Sequence, residues 1–252
     1  MATRDTYALL IAGDETPDLI ESFELRKAQE YFKNRHLRAI QRVQDYLIKE
    51  ANYNPERIWS FFGGDDGSLL EKTEDFLKEA KIKAPENPVI IMYYGHGNIG
   101  TFSPAYTGKN REIAYGSLAQ LCGHETKFLF VNNSCFSGSA IPIFTKLGVV
   151  KNGSIITSGS AEELCCSGLF LYNFLKTMRS KKIFTPEKIE THKEVNSDDL
   201  IENDNKTKMV LFIEKRLIEK AKASGDWYEM QKIHTQHPQR AGLDLDHLLF
   251  PQ

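Results

Sequence analysis

The chain reads as a three-layer α/β fold: a mostly parallel central sheet of about six strands with helices on both faces. Two observations predict it. Short, continuous apolar runs closed by glycine or asparagine alternate with longer stretches in which apolar residues recur at helical spacing. A strand–helix–strand–helix order calls for parallel pairing through right-handed crossovers, and so for helices covering both sheet faces. The length, 252 residues, suits one large domain with a substantial core, and residues 1–252 are read as a single domain with one charged insert.

Taken in order, Tyr7 to Ala12 is an apolar run ending at Gly13, the pattern of a strand buried on both sides. From Glu24 to about Ala51, Leu25, Ala28, Phe32, Ala39, Ile40, Val43 and Leu47 form a helical stripe, which Asn52 to Pro55 ends. Ile58 to Phe62 is a second strand, stopped by Gly63-Gly64. Ser68 and Glu71 have capping-box spacing before a helix whose face is Leu70, Thr73, Phe76, Leu77 and Ala80. Pro88 to Tyr94 is a third strand. Residues 98 to 114 read as a long loop or small hairpin, and helix resumes at Tyr115 to Leu121. Lys127 to Asn132 and Gly153 to Thr157 are the fourth and fifth strands. A helix follows from about Cys166 to Met178.

Residues 180 to 206 are charged and poor in apolar groups, which marks an insert. Its lysines, Lys181, Lys182, Lys188 and Lys193, make it an expected autoprocessing or regulatory loop. Val210, Ile213, Leu217 and Ala221 restore helical spacing, and Leu243 to Phe250 is expected to supply a last strand.

Composition narrows the function. A net charge of −2 argues against a dedicated nucleic-acid binder, which needs a basic stripe to offset phosphate. The apolar run at the N-terminus is too short for a signal peptide, and no stretch approaches the roughly 18 apolar residues of a membrane span. A soluble, cytoplasmic protein without nucleic-acid or membrane partners is the expectation. The four cysteines, Cys122, Cys135, Cys165 and Cys166, are too few for a disulfide-stapled secreted domain and lack zinc-type pairing. Cys122 and His124 have no matching second pair, so no metal site is expected. His36, His192, His234, His237 and His247 are read as structural or solvent-facing.

Two successive core strands end in polar, glycine-rich clusters: Tyr94-Gly95-His96-Gly97, then Asn132-Asn133-Ser134-Cys135-Phe136-Ser137-Gly138. In parallel sheets active groups gather beyond the carboxyl ends of the strands. Neighbouring strands lie about 4.8 Å apart, so His96 and Cys135 would emerge at one sheet edge within reach of each other. A thiol is mostly protonated at neutral pH, and a nearby histidine can take its proton and later protonate a leaving amine. A helix N-terminus after Cys135 would favour a thiolate further. Gly97 lets the backbone approach a substrate, and its N–H with that of Cys135 could form an oxyanion hole.

These two motifs, YYGHG and NSCFSGS, strongly resemble the histidine and cysteine motifs of caspases, metacaspases and their prokaryotic relatives. The resemblance extends to Gly153-Ser154-Ile155-Ile156-Thr157-Ser158-Gly159-Ser160, similar to the strand whose loop helps form the substrate cleft. It extends also to Thr235-Gln236-His237-Pro238-Gln239, similar to the metacaspase C-terminal segment. It implies a Cys–His dyad, an acyl-enzyme intermediate, a protein or peptide substrate, cleavage after one selected side chain, and no organic cofactor. Ser158 and Ser160 would then contribute to substrate binding. Metacaspases carry an acidic residue two positions before the cysteine to bind Arg or Lys; here that position is Asn133, whose amide accepts a hydrogen bond without charge assistance. Asp14, Glu15, Glu162 or Glu163 are candidates to replace it, so Arg/Lys preference stays open. Many metacaspases are calcium-activated, but no ligand cluster in the sequence establishes such a site. Legumains share the histidine–cysteine plan, with an Asn/Asp preference, and fit the tail less well. A caspase-like fold serving as a non-catalytic scaffold or regulatory binding module is the rival from another class.

Two decoys are set aside. Gly95-His-Gly97-Asn-Ile-Gly100 matches the dinucleotide fingerprint formally, but no helix opens after it. Gly63 to Gly67 is explained by a turn before the Ser68 helix.

Overall fold

The computed structural model describes residues 4–13, 35–63, 68–104, 112–162, 167–182 and 238–251. The central sheet has six strands: β1 (Ala8–Ala12), β2 (Ile58–Phe62), β3 (Val89–Tyr94), β7 (Phe128–Asn133), β8 (Gly153–Thr157) and β9 (Gln239–Gly242). Their order is β2-β1-β3-β7-β8-β9. The first five run parallel, and β9 closes one edge antiparallel to β8. A separate three-stranded antiparallel sheet, β4 (His96–Asn98), β5 (Thr101–Ser103) and β6 (Ile113–Ala114), springs from the end of β3. This is the small hairpin expected between residues 98 and 114.

Alternation along the strands sorts the core into two halves, because successive side chains point to opposite faces. On one face Ala8, Leu10, Ile90 and Met92 pack against α1 (Arg35–Lys49) and α5 (Ser167–Arg179), through Ile40, Val43, Leu47, Phe170, Phe174 and Met178. On the other, Leu9, Ile11, Ile91 and Phe130 pack against α2 (Leu69–Lys83), α3 (Tyr115–Cys122) and α4 (Ala140–Lys146), through Phe76, Leu118, Ala119 and Phe144. These are the three layers the sequence predicts. Truncating a fully buried ring such as Phe174 to alanine should cost about 3–5 kcal/mol. At the periphery, Arg179 at the end of α5 donates two hydrogen bonds, 2.8 and 2.7 Å, to Glu50 just past α1, and this pairing holds the Glu50 carboxyl below its ordinary range.

Three expectations need correction or bounding. The Ser68 hydroxyl makes no capping hydrogen bond to α2, whose first turn is held by backbone contacts instead. The last strand is Gln239–Gly242, not Leu243 to Phe250: Asp246–Leu249 is a 3-10 turn. The reason lies in the leucine spacing and one buried ion pair. Leu245, Leu248 and Leu249 stand three and four apart, so all three reach the same core face only if the chain coils. Arg240, on β9, pairs with Asp246 at 2.9 Å and Asp244 at 2.6 Å and donates to the Leu243 carbonyl at 2.8 Å, folding the segment back on itself. Finally, the expected helices at 24–34 and 210–221, and the insert past Lys182, lie outside the described residues.

The coiled tail is fastened from below. Tyr53 Oη donates to the Leu248 carbonyl at 2.7 Å, Tyr46 Oη donates to that of Leu249, and the Arg4 guanidinium reaches Leu248 and, at 2.9 Å, Phe250. The first strand's entry and the last turn therefore share one set of hydrogen bonds.

Candidate active site

β3 and β7 pair in a register that ends with Tyr94 opposite Asn133. The ladder runs one step further, the Gly95 amide donating to the Asn133 carbonyl at 3.1 Å. Gly95 and Ser134 follow those strand ends directly, and His96 and Cys135 come one residue later, past the carboxyl ends of adjacent parallel strands. His96 and Cys135 are each half-buried, and Cys135 is not in a disulfide. Gly97 makes the approach of the two segments concrete. A Cβ at that position would lie 2.6 Å from both the Cys135 carbonyl oxygen and Ser134 Oγ, closer than atoms tolerate.

The histidine side is held by its own strand end. Tyr93 is buried, and its hydroxyl lies 2.7 Å from the carbonyl oxygens of both His96 and Ser103, which face each other in the β4–β5 ladder. The phenol bends over Gly95 and Gly13, where a side chain would collide with it. His96 thus sits where the large sheet gives way to the small one, its backbone fixed by both. On its ring side stands His36, from the first turn of α1, 5.3 Å away between centroids at 74°.

The cysteine side is a hydroxyl lattice. After Cys135 the chain takes a left-handed step at Phe136 (φ 54°), then a 3-10 turn, Ser137–Ser139, leads into α4. The expected helix after Cys135 is therefore present, but it begins through this turn. Ser134 Oγ donates to Asn132 Oδ1 at 2.9 Å, and Asn132 Nδ2 donates to Tyr115 Oη at 2.8 Å. Ser158 Oγ donates to the Ser134 carbonyl at 3.2 Å and lies 3.3 Å from Ser137 Oγ, which accepts from the Gly159 amide at 3.2 Å. Ser139 Oγ donates to the Phe136 carbonyl at 2.7 Å and accepts from the Gly100 amide at 2.9 Å. One hydroxyl therefore spans the turn after Cys135 and the hairpin carrying His96.

The remaining predicted site residues separate. Asn133 and Ser158 are buried, at 2% and 0% exposure, so neither presents an open surface to a bound chain. Ser160 is half-buried, its Oγ accepting from the Glu162 amide at 3.4 Å, and Glu162 itself is exposed. Asp14, Glu15 and Glu163 lie outside the described residues. The sequence reading missed Tyr93, His36 and Ser139 as parts of the site. Tyr93 and Ser139 lie inside YYGHG and NSCFSGS, but nothing local shows what their hydroxyls reach, and His36 carries no local motif. Cys122 is buried in the core, and desolvation pushes its thiol up to about 12. Among the described residues no group of three or more metal-ligating side chains gathers, and no helix is long and apolar enough to cross a membrane.

No protein-family model matches the chain, and no curated protein matches it. Among solved structures it is similar to caspase-1 from Spodoptera frugiperda, at 9% identity and a TM-score of 0.43, over 69% of this chain and 68% of that one. It is also similar to a secreted C11 cysteine protease from Bacteroides thetaiotaomicron, solved with an irreversible peptide inhibitor, at 10% identity and a TM-score of 0.35. That likeness covers 68% of this chain and 52% of the protease. The residue roles proposed below rest on this chain's own geometry and motifs.

Proposed function

We propose that this chain is a caspase-like cysteine endopeptidase in which Cys135 is the nucleophile and His96 its proton-transfer partner. The observation that supports the reading is that β3 and β7 are adjacent and parallel, with His96 and Cys135 each two residues past the paired strand ends Tyr94 and Asn133. His96 takes the Cys135 proton, and the thiolate sulfur attacks the scissile carbonyl carbon. Negative charge moves onto the carbonyl oxygen, and the Gly97 and Cys135 amides are the proposed donors to it. Collapse of that intermediate breaks the C–N bond, and His96 gives its proton to the departing amine. Water, deprotonated by His96, then attacks the thioester; the carboxylic acid leaves and the Cys135 thiol is restored. No cofactor enters this scheme.

The motifs at His96 and Cys135 support the metacaspase and prokaryotic caspase-like branch. Asn133, in the place of an acidic residue, is neutral and buried, so it supplies no charge to favour a cationic side chain. Cleavage after Arg or Lys, and after Asn or Asp, are the preferences to compare first. The test is turnover of a fluorogenic peptide library varied at the residue before the scissile bond, with and without calcium, against Cys135→Ala. Wild-type turnover that falls by about 1000-fold or more in the variant supports the peptidase. Absent turnover under every condition, or turnover that survives in Cys135→Ala, rejects it.

A further inference from the structure

Beyond the dyad lies a second imidazole that the scheme does not use. His36 is 1% exposed, in the first turn of α1, and is anchored at the point where two strands end. Its Nδ1 lies 2.9 Å from the Gly13 carbonyl oxygen, at the end of β1. A carbonyl can only accept, so Nδ1 carries the hydrogen and donates it. The same ring packs edge-to-face on Tyr94, the last residue of β3, with centroids 5.3 Å apart at 63°. It packs edge-to-face on His96 at the same separation and 74°. A hydrogen bond and a tyrosine thus fix His36, and His36 in turn forms one wall of the space the His96 ring occupies.

We propose that His36 is a positioning residue for His96: a rigid ring wall, anchored to Gly13, that holds the His96 imidazole in the orientation that proton transfer with Cys135 requires. Edge-to-face packing of this kind is directional, so it restricts rotation of the neighbouring ring about its side-chain torsions as well as filling space. Displacements of about 1 Å in a proton-transfer partner can cost on the order of 100-fold in rate, which makes such a wall consequential. The proposal rests on the dyad reading above, but its test need not depend on peptide cleavage.

Two variants divide the ring from its anchor. His36→Asn keeps a donor for the Gly13 carbonyl and removes the wall; His36→Phe keeps a ring and removes the donor. Each is compared with wild type and His96→Ala by peptide turnover, by thermal unfolding, and by the pH profile of Cys135 alkylation with iodoacetamide, followed by mass spectrometry. The expectation is that His36→Asn stays folded while kcat falls by about 10- to 100-fold and KM changes by less than about threefold. Its alkylation profile should move toward that of His96→Ala, with His36→Phe lying between. A merely structural role would lower the melting temperature and leave the profile in place.

If wild type cleaves peptides while both His36 variants keep its kcat and its profile, the peptidase stands and the positioning role is overturned. If wild type cleaves nothing, yet His96→Ala and His36→Asn both slow Cys135 alkylation, the positioning role stands and the peptidase falls. Alkylation indifferent to His96→Ala overturns the positioning role. Should neither variant fold, imidazole NMR of wild type decides. Alkylating Cys135 should displace His96 and shift the His36 ring signals, and unmoved His36 signals overturn the proposal.

Discussion

Gly97 touches the backbone of Cys135 so closely that a methyl group on it would stand 2.6 Å from the Cys135 carbonyl oxygen. The sequence suggested that this glycine clears room for a substrate. In the structure its first service is to let the histidine strand lie against the cysteine turn. The same contact would place the two proposed oxyanion donors side by side.

Gly97→Ala should therefore be worse for activity than for folding. The added methyl must push β4 away from Ser134 and Cys135, separating the proposed donors. We expect kcat/KM to fall by about 100-fold or more, the scale of losing an oxyanion donor. Steady-state kinetics beside a melting curve checks this; a variant with wild-type kcat/KM would show that the contact has no bearing on chemistry.

Ser139→Ala removes the hydroxyl that joins the Phe136 carbonyl to the Gly100 amide. Losing two buried hydrogen bonds should cost about 1–3 kcal/mol in denaturant unfolding. Because those bonds link the two halves of the site, turnover should fall by about 10-fold as well, on the scale of a small geometric misplacement. Restoring the hydroxyl with threonine should recover part of both, and stability lost with kcat intact would sink the coupling.

Alkaline conditions should weaken the fold in a traceable way. Burial raises the Cys122 thiol from its ordinary value of 9.0 to about 12. The buried phenols of Tyr46 and Tyr53 are raised too, desolvation being the main cause in each. A raised value means that the folded state keeps its proton where the unfolded chain releases it. The contribution of Cys122 is thus whole below about pH 9 and drains away as pH climbs toward about 12. Denaturant midpoints across that window should decline in wild type and decline less steeply in Cys122→Ala. The same burial should leave native Cys122 unalkylated at neutral pH, until denaturant exposes it.

Tyr53→Phe tests the fastening of the C-terminal turn. The phenol is 1% exposed and donates to the Leu248 carbonyl at 2.7 Å. Removing it leaves a buried acceptor short of one donor, at a cost of about 1–2 kcal/mol. Hydrogen exchange at residues 246–249 should speed up while that of β3 and β7 is unchanged. Uniform acceleration would mean that the turn does not open separately.

Strands β1, β3, β7 and β8 were readable because each is buried on both faces and so appears as a largely apolar run. Gly153 to Thr157 emerges with the predicted ends, and the strand expected from Pro88 begins one residue later, at Val89, and ends at Tyr94 as expected. The tail's leucines suit a strand by sequence alone, whereas Arg240, Asp244 and Asp246 fold them into a coil. His96 and Cys135 were found through glycine-rich motifs that local sequence can carry. His36 carries no such motif, and although Ser139 closes NSCFSGS, the roles of both exist only once α1 and the turn after Cys135 have been brought to the strand ends. Hydroxyl networks such as Ser134–Asn132–Tyr115 leave no periodic trace, since each link spans a separation that spacing rules do not address.

The β3–β7 ladder, which ends two residues before His96 and Cys135, also predicts which kinds of genetic change this chain tolerates. Exchanging one apolar residue for another within either strand keeps the count of residues and so keeps the alignment. Inserting or deleting a single codon in one strand slides its end by about 3.3 Å and turns every following side chain to the opposite face. Natural variants of this chain should thus differ freely in composition along β3 and β7 but hardly ever in length, with indels collecting in the connections on either side.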